Sequence, residues 1–228
     1  MKHPLVKPRA MTEPAEACLR ALVEAGLADR ITLGGAMALM HYVDYRSTRD
    51  LDAWWRDDIT AEEQEAVIEA ITQSLRRFGP VSTRRWGDVV SVELAEGGRK
   101  TFSFQITRRS ARLEPPALAG WLPVPLDSLD DLIASKMVAL VERGAPRDFR
   151  DIHELCRRGL TDPARCWSLW GRRERLAGNE PDRDRARLAV LTHLERIRQH
   201  RRLEDIPEPD LRQEAERIRR WFGEEFLQ

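Results

Sequence analysis

The chain has 228 residues, 42% hydrophobic and 33% charged, which is enough for one large domain or two small ones with a substantial core. Its 38 basic and 38 acidic side chains cancel, so the strongly basic signature of a dedicated nucleic-acid binder is absent and any RNA affinity must come from a local patch. No run approaches the roughly eighteen apolar residues of a membrane helix, so no membrane partner is expected.

Residues 1–11 read as a loose arm, with Pro4 and Pro8 blocking regular structure. Thr12-Glu13-Pro14 is a helix start, and the helix runs through Leu19, Leu22 and Val23 to a stop near Gly26. Ile31 to Leu33 is a short buried strand broken by Gly34-Gly35. Ala36 to Tyr42 then reads as a helix, and Arg49 to Trp55 as a second strand. Thr60-Ala61-Glu62-Glu63 is a capping box that opens an amphipathic helix carrying Val67, Ile68, Ile71, Leu75 and Phe78, ended by Gly79-Pro80. From Val81 to Thr107 the period changes to two, with strands at 89–94 and 101–106 joined through Glu96-Gly97-Gly98. Residues 108–125 hold four prolines and read as an irregular connection. They divide an α/β domain (1–125) from an α-helical domain (126–228). The latter begins with a helix capped by Ser128 that ends near Glu142. Helices follow from Asp148 to Arg158, from Asp162-Pro163, and over roughly 181–202 and 208–227. The whole is α+β, a small mixed sheet with helices followed by a helical half.

Cys18, Cys156 and Cys166 show no zinc-type spacing and no disulfide framework, and read as buried or incidental thiols. The N-terminal residues carry charge without the apolar stretch of a signal peptide, so a cytoplasmic location is expected.

Strand alternation puts Asp50 and Asp52 on one face and Leu51 and Ala53 on the other. Two carboxylates so placed repel unless a cation lies between them, and hard oxygen ligands suit Mg²⁺, which needs only one or two carboxylates plus substrate phosphates. The Gly34-Gly35 turn offers bare backbone N–H groups of the kind that suit phosphate. Further on, Lys136 and Arg143 share a helical face. Lys136 is either snorkelling or aimed at an anion. Asp148 and Asp151 meet on one face of the next helix, which taken alone reads as a helix-start acid plus an ion-paired residue.

Gly34-Gly35-x-Ala-x-Leu39 followed by Arg46-x-Thr48-x-Asp50-Leu51-Asp52 resembles the opening motif of the nucleotidyltransferase superfamily, in its AbiEii (abortive-infection) toxin branch. The Lys136-x-x-Ala139-x-x-x-Arg143 helix and the Asp148-x-x-Asp151 motif follow in the family's order, so the resemblance covers roughly residues 30–155. It implies transfer of a nucleotidyl group from an NTP to a hydroxyl with loss of pyrophosphate. The acceptor would be RNA, in the first place tRNA, and the protein would be a toxin held by a cognate antitoxin. Within it Asp50 and Asp52 would hold Mg²⁺, Gly34, Gly35, Arg49 and Lys136 would bind the nucleotide, and Asp148 or Asp151 would orient Lys136, the base or the acceptor. Arg46 takes a structural role, and His41 reads as a half-exposed helix residue. The strand at 101–106 offers Gln105 where many members carry a third carboxylate, and Glu93 on the neighbouring strand is the substitute. Trp54 and Trp55 read as packing, with base stacking the functional alternative. Arg84, Arg85, Arg108, Arg109, Arg112, Arg172 and Arg173 are the candidates for a basic RNA-facing surface. The competing readings are a small-molecule (aminoglycoside-like) nucleotidyltransferase and an inactive nucleotide-binding or interaction protein of the same fold.

Overall fold

In the computed structural model, which describes residues 5–228, the first regular element is α1 (Glu13–Glu24), and the hydroxyl of Thr12 accepts from the Ala15 N–H at its start. Pro4 lies outside the described residues. The rest of the expected loose arm forms no helix or strand, yet it is tied down. The Val6 N–H donates to the His41 carbonyl, the Arg9 N–H to Asp44 and the Lys7 ammonium to Glu16.

The chain divides into two units, the first ending at Leu132 and the second running Ile133–Gln228. The first is built on one mixed sheet whose strands are β1 (Ile31–Gly34), β2 (Asp50–Trp55), β3 (Val81–Trp86), β4 (Val89–Glu96), β5 (Arg99–Thr107), β6 (Ala117–Leu118) and β7 (Pro125–Leu126), in the order β3-β4-β5-β2-β1-β7-β6. Strand β2 is antiparallel to β1 and parallel to β5, and β7 pairs parallel with β1 at Leu33 and Leu126. The sheet is larger than the sequence suggests. Strand β3 is polar and lies at the sheet edge with five of its six residues exposed, so it lacks the apolar alternation that reveals a strand. The short β6 and β7 lie within the proline-rich stretch expected to be irregular.

Helix α2 (Gly35–Met40) follows β1, and α3 (Ala61–Arg76) begins at the expected capping box: the Glu63 N–H donates to the Thr60 hydroxyl while the Thr60 N–H donates to Glu63. Helix α1 packs on α3, and α3 on β3 and β4. Their apolar residues (Leu19, Leu22, Val67, Ile71 and Leu75) and those of the sheet (Leu51, Ala53, Trp55, Val92, Phe104 and Ile106) are all buried. At about 1.5–3 kcal/mol for each large side chain, this core fixes which face of β2 points inward.

Helix α4 (Leu129–Glu142) begins in the first unit. The second unit holds α5 (Pro146–Arg157), α6 (Pro163–Leu176), α7 (Arg183–His200) and α8 (Pro209–Trp221), the last followed by a π-helical turn at Phe222–Phe226. Pro146, Pro163 and Pro209 each sit at a helix start, where the missing N–H costs nothing. Phe149 of α5 meets Phe222 edge to face at 4.7 Å, and Trp167 of α6 lies 5.5 Å from Phe226, so aromatic contacts tie the last turn to α5 and α6. Among the described residues no helix is long and apolar enough to cross a membrane.

Candidate functional site

Burial alternates along β2, with Leu51, Ala53 and Trp55 buried and Asp50, Asp52 and Trp54 on the other face. Register carries this face across the sheet. Asp52 pairs with Gly34 of β1 and with Gln105 of β5, while Asp50 pairs with Ser103, which in turn pairs with Glu93 of β4. Gln105 therefore stands beside Asp52, at the position expected for a third carboxylate. Glu93 faces the same side, two strands from Asp50, with its carboxylate held by Arg84 at 3.3 Å and by the Ser91 hydroxyl at 3.3 Å.

The fold brings Gly34, Gly35, Asp50 and Asp52 together in the first unit. Gly35 has φ +60°, and a Cβ there would overlap Asp52 Oδ2 and come within 2.7 Å of its Cγ, so only glycine leaves room for this carboxylate. Asp50 is half exposed. Its Oδ1 accepts from the Ser103 hydroxyl at 2.6 Å and lies 3.7 Å from Lys100 Nζ. Arg49 is exposed at the head of β2, where its carbonyl accepts from the Ser103 N–H. Arg46 lies over the ring of Tyr45 and donates to the Ser47 carbonyl. Among the described residues no group of three or more His, Cys, Asp or Glu side chains is gathered as a metal cluster. Two carboxylates on one strand face match the number that Mg²⁺ requires when phosphates complete its shell.

Beside the glycines lies a cluster the sequence did not reveal. Asp127 is buried, accepts from Trp54 Nε1 at 2.9 Å and pairs with Arg109. Arg109 also pairs with Asp131 at 3.3 Å and stacks over the Trp54 ring. Burial pushes the Asp127 carboxyl above its ordinary range, against the pull of Arg109. The Tyr42 hydroxyl donates to the Asp127 carbonyl, and the Asp127 N–H to the Leu33 carbonyl. Trp54 is thus a packing and hydrogen-bonding residue. Arg109 is removed from the expected basic surface, because its side chain is only 3% exposed and is held by two carboxylates. Arg84 and Arg85 are exposed but paired with Glu93 and Glu65, Arg108 and Arg172 are exposed, and Arg173 is buried. His41, expected half exposed, is buried, bonded to the Met37 carbonyl and stacked on Trp121; burial lowers its pKa.

In the second unit Lys136 of α4 and Asp151 of α5 form a buried ion pair at 2.7 Å. Arg143 grips buried Asp148 through two bonds of 2.9 and 2.8 Å, and Asp148 also accepts the Ala145 N–H that opens α5. Asp151 is therefore the partner of Lys136, and Asp148 fixes the α4–α5 corner.

A family model described as nucleotidyl transferase AbiEii toxin, type IV toxin–antitoxin system, matches residues 17–222. No curated protein matches the chain by sequence. Among solved structures, the crystal structure of an H. pylori protein assigned as a nucleotidyltransferase gives a TM-score of 0.51 at 16% identity, covering 95% of this chain and 97% of that one. The solution structure of the antibiotic-resistance factor ANT(2'')-Ia gives 0.49 at 16% identity over 80% and 95%. An antigenic nucleotidyltransferase-like protein from Paracoccidioides brasiliensis gives 0.39 at 15% identity over 89% and 91%. The H. pylori structure shares the fold.

Proposed function

The chain belongs to the AbiEii family of nucleotidyltransferase toxins, and from that premise we propose that it moves a nucleotidyl group from an NTP to a hydroxyl of RNA, with tRNA the acceptor, as the toxin of a toxin–antitoxin pair in the cytoplasm. The observation that carries the reading is the pressing of Gly35 against Asp52, on the face that Asp52 shares with Asp50. A backbone that leaves no space for any side chain beside a carboxylate suits a site that must admit a close-fitting phosphate.

In this reading Asp50 and Asp52 hold Mg²⁺, which when bound neutralises phosphate charge and polarises the α-phosphorus. Gly34 and Gly35 let the backbone approach the triphosphate. Arg49, exposed at the head of β2, offers a guanidinium to a phosphate oxygen. Lys136 is a phosphate-binding point charge, and Asp151 orients it. Asp148, locked to Arg143, positions the start of α5. The acceptor oxygen attacks the α-phosphorus and gives its proton to a carboxylate of the site. The bond from the α-phosphorus to the bridging oxygen breaks, and pyrophosphate leaves. For an RNA acceptor, Arg108 and Arg172 offer exposed guanidinium groups, and Arg84 and Arg85 would first exchange their carboxylate partners.

The test is calorimetric titration of ATP, GTP, CTP and UTP, with and without Mg²⁺, into wild type and Asp52→Ala, followed by incubation of tRNA with the labelled nucleotide that binds. Metal-dependent binding of one NTP, lost in the variant, and label on tRNA are expected. Folded wild type that binds no NTP would refute the reading. Binding without transfer to RNA would refute the acceptor.

A further inference from the structure

Only four of the 38 basic residues are lysines: Lys2, Lys7, Lys100 and Lys136. The reading above uses Lys136 but leaves Lys100 without a part. Lys100 lies in β5, close after the Gly97-Gly98 turn. Strict alternation would put it on the same face as Phe102 and Phe104, which point into the core. It does not go there, because the ladder slips. Leu94 pairs with Phe102 but Ala95 pairs with Lys100, so Thr101 is an extra residue and β5 carries a bulge. The extra residue turns Lys100 onto the face of Ser103, Asp50 and Glu93. Bulges of this kind re-aim side chains beside functional sites.

The re-aimed ammonium lies 3.3 Å from the Ser103 hydroxyl and 3.7 Å from Asp50 Oδ1. Lys100 and Asp50 are both nearly half exposed, so this pair contributes little to stability. Lysine suits such a post better than arginine. Its charge is compact, and its four-carbon stem lets it change partners without breaking a bidentate grip. A cation beside Asp50 opposes a bare metal ion there but welcomes a metal that arrives with a polyanion.

We propose that Lys100 is a triphosphate-binding residue of this site, which balances the charge of Asp50 in the empty protein and turns onto a non-bridging oxygen of the β- or γ-phosphate when the nucleotide enters. The proposal rests on the nucleotidyltransferase reading of Asp50 and Asp52 and adds to it which side chain meets the leaving pyrophosphate.

The experiment is calorimetry on full-length wild type, Lys100→Met, Lys100→Arg and Asp52→Ala, with Mn²⁺ alone and then with the Mg²⁺ complexes of the mono-, di- and triphosphate of the preferred nucleoside. Circular dichroism checks that each variant is folded. In Lys100→Met, Mn²⁺ alone should bind about 2- to 5-fold more tightly, because the repelling charge is gone. The triphosphate should bind about 10-fold or more weakly, because a charged hydrogen bond is lost, while the monophosphate is unchanged. Lys100→Arg should recover most of the triphosphate affinity. Equal weakening for all three nucleotides, or for Mn²⁺ as well, would make Lys100 a structural residue and overturn the proposal, as would no change at all. If wild type and Asp52→Ala bind the triphosphate alike, or neither binds it, the reading of the site itself fails and this proposal goes with it. If Asp52→Ala abolishes binding and Lys100→Met behaves as wild type, only the proposal fails.

Discussion

Gly35→Ala is the substitution in which local geometry and function are most tightly joined. Alanine at φ +60° sits in the left-handed region, at a cost of roughly 1–2 kcal/mol. The new Cβ would overlap Asp52 Oδ2 and lie 2.7 Å from Cγ and 2.8 Å from Cβ of that residue. Comfortable carbon contacts lie at about 3.5–4.0 Å, so the turn or the carboxylate must move by about 1 Å. The total cost of roughly 2–3 kcal/mol is affordable for a domain stable by about 5–15 kcal/mol, and the protein should fold. Function should suffer far more, since about 1 Å of misplacement costs on the order of 100-fold in rate. Gly97→Ala is the control: Gly97 has φ +55° but nothing within 4 Å of its added Cβ, so it bears the backbone cost alone. Urea melts of both variants should show comparable losses, with Gly35→Ala lower by about 1 kcal/mol. Transfer of labelled nucleotide should fall about 100-fold only in Gly35→Ala. Wild-type turnover in Gly35→Ala would show that the carboxylate tolerates displacement, and the argument from the glycine would be wrong.

The Lys136–Asp151 pair is buried on both sides, so Lys136→Met and Asp151→Asn should each cost about 3–5 kcal/mol, whereas the double variant Lys136→Met/Asp151→Leu should cost at least about 2 kcal/mol less than the sum of the single changes. Denaturant melts giving additivity within about 0.5 kcal/mol would show that the two groups are not coupled. Glu154 is held down to about 2 chiefly by hydrogen bonds from Arg157, then from Arg158, against the opposing effect of burial. A carboxyl lowered in the folded chain favours folding above its ordinary 4.5 and loses that contribution as pH falls toward 2. Because both arginines are substantially exposed, the contribution is on the order of 1 kcal/mol. Glu154→Gln should flatten the fall in stability between pH 4.5 and 2, and an unchanged slope there would refute this assignment.

What the sequence made legible is what short-range periodicity controls. The alternation of β2 separates Asp50 and Asp52 from Leu51 and Ala53 in the structure as in the string. The Thr60 capping box and the glycine break after β1 are equally local. The misses share a different cause. Strand β3 has no apolar alternation because it is an exposed edge, and β6 and β7 exist because the sheet offers them a partner rather than because Ala117-Leu118 or Pro125-Leu126 favour extension. Arg109 looked like surface charge because its carboxylate partners, Asp127 and Asp131, lie 18 and 22 residues away. Lys100 faces the site through a one-residue slip in the ladder, which no count of alternating residues would show. Ser103, by contrast, was within reach: it lies two residues before Gln105 on the same face, and a hydroxyl there was a candidate partner for an aspartate on the next strand.

The two glycines at the end of β1 serve different masters. A side chain at Gly35 would strike Asp52, but one at Gly34 would come within 2.5 Å of Trp54 Nε1 and 3.3 Å of Asp127 Oδ2. Gly34 is therefore small for the sake of the buried scaffold, in which Trp54 bonds Asp127, and Arg109 bridges Asp127 and Asp131. That scaffold anchors the strand carrying Asp52 from one side, since Trp54 is the next residue along the same face of β2. It also anchors the glycine turn from the other side, since the Asp127 N–H donates to the Leu33 carbonyl. The carboxylate and the turn are thus held against each other by one buried ionic cluster, and the close approach of Gly35 to Asp52 is enforced rather than incidental. A buried ion pair seldom improves stability over well-packed apolar residues. Here its consequence is geometric: it fixes the register of the two segments that carry Gly35 and Asp52.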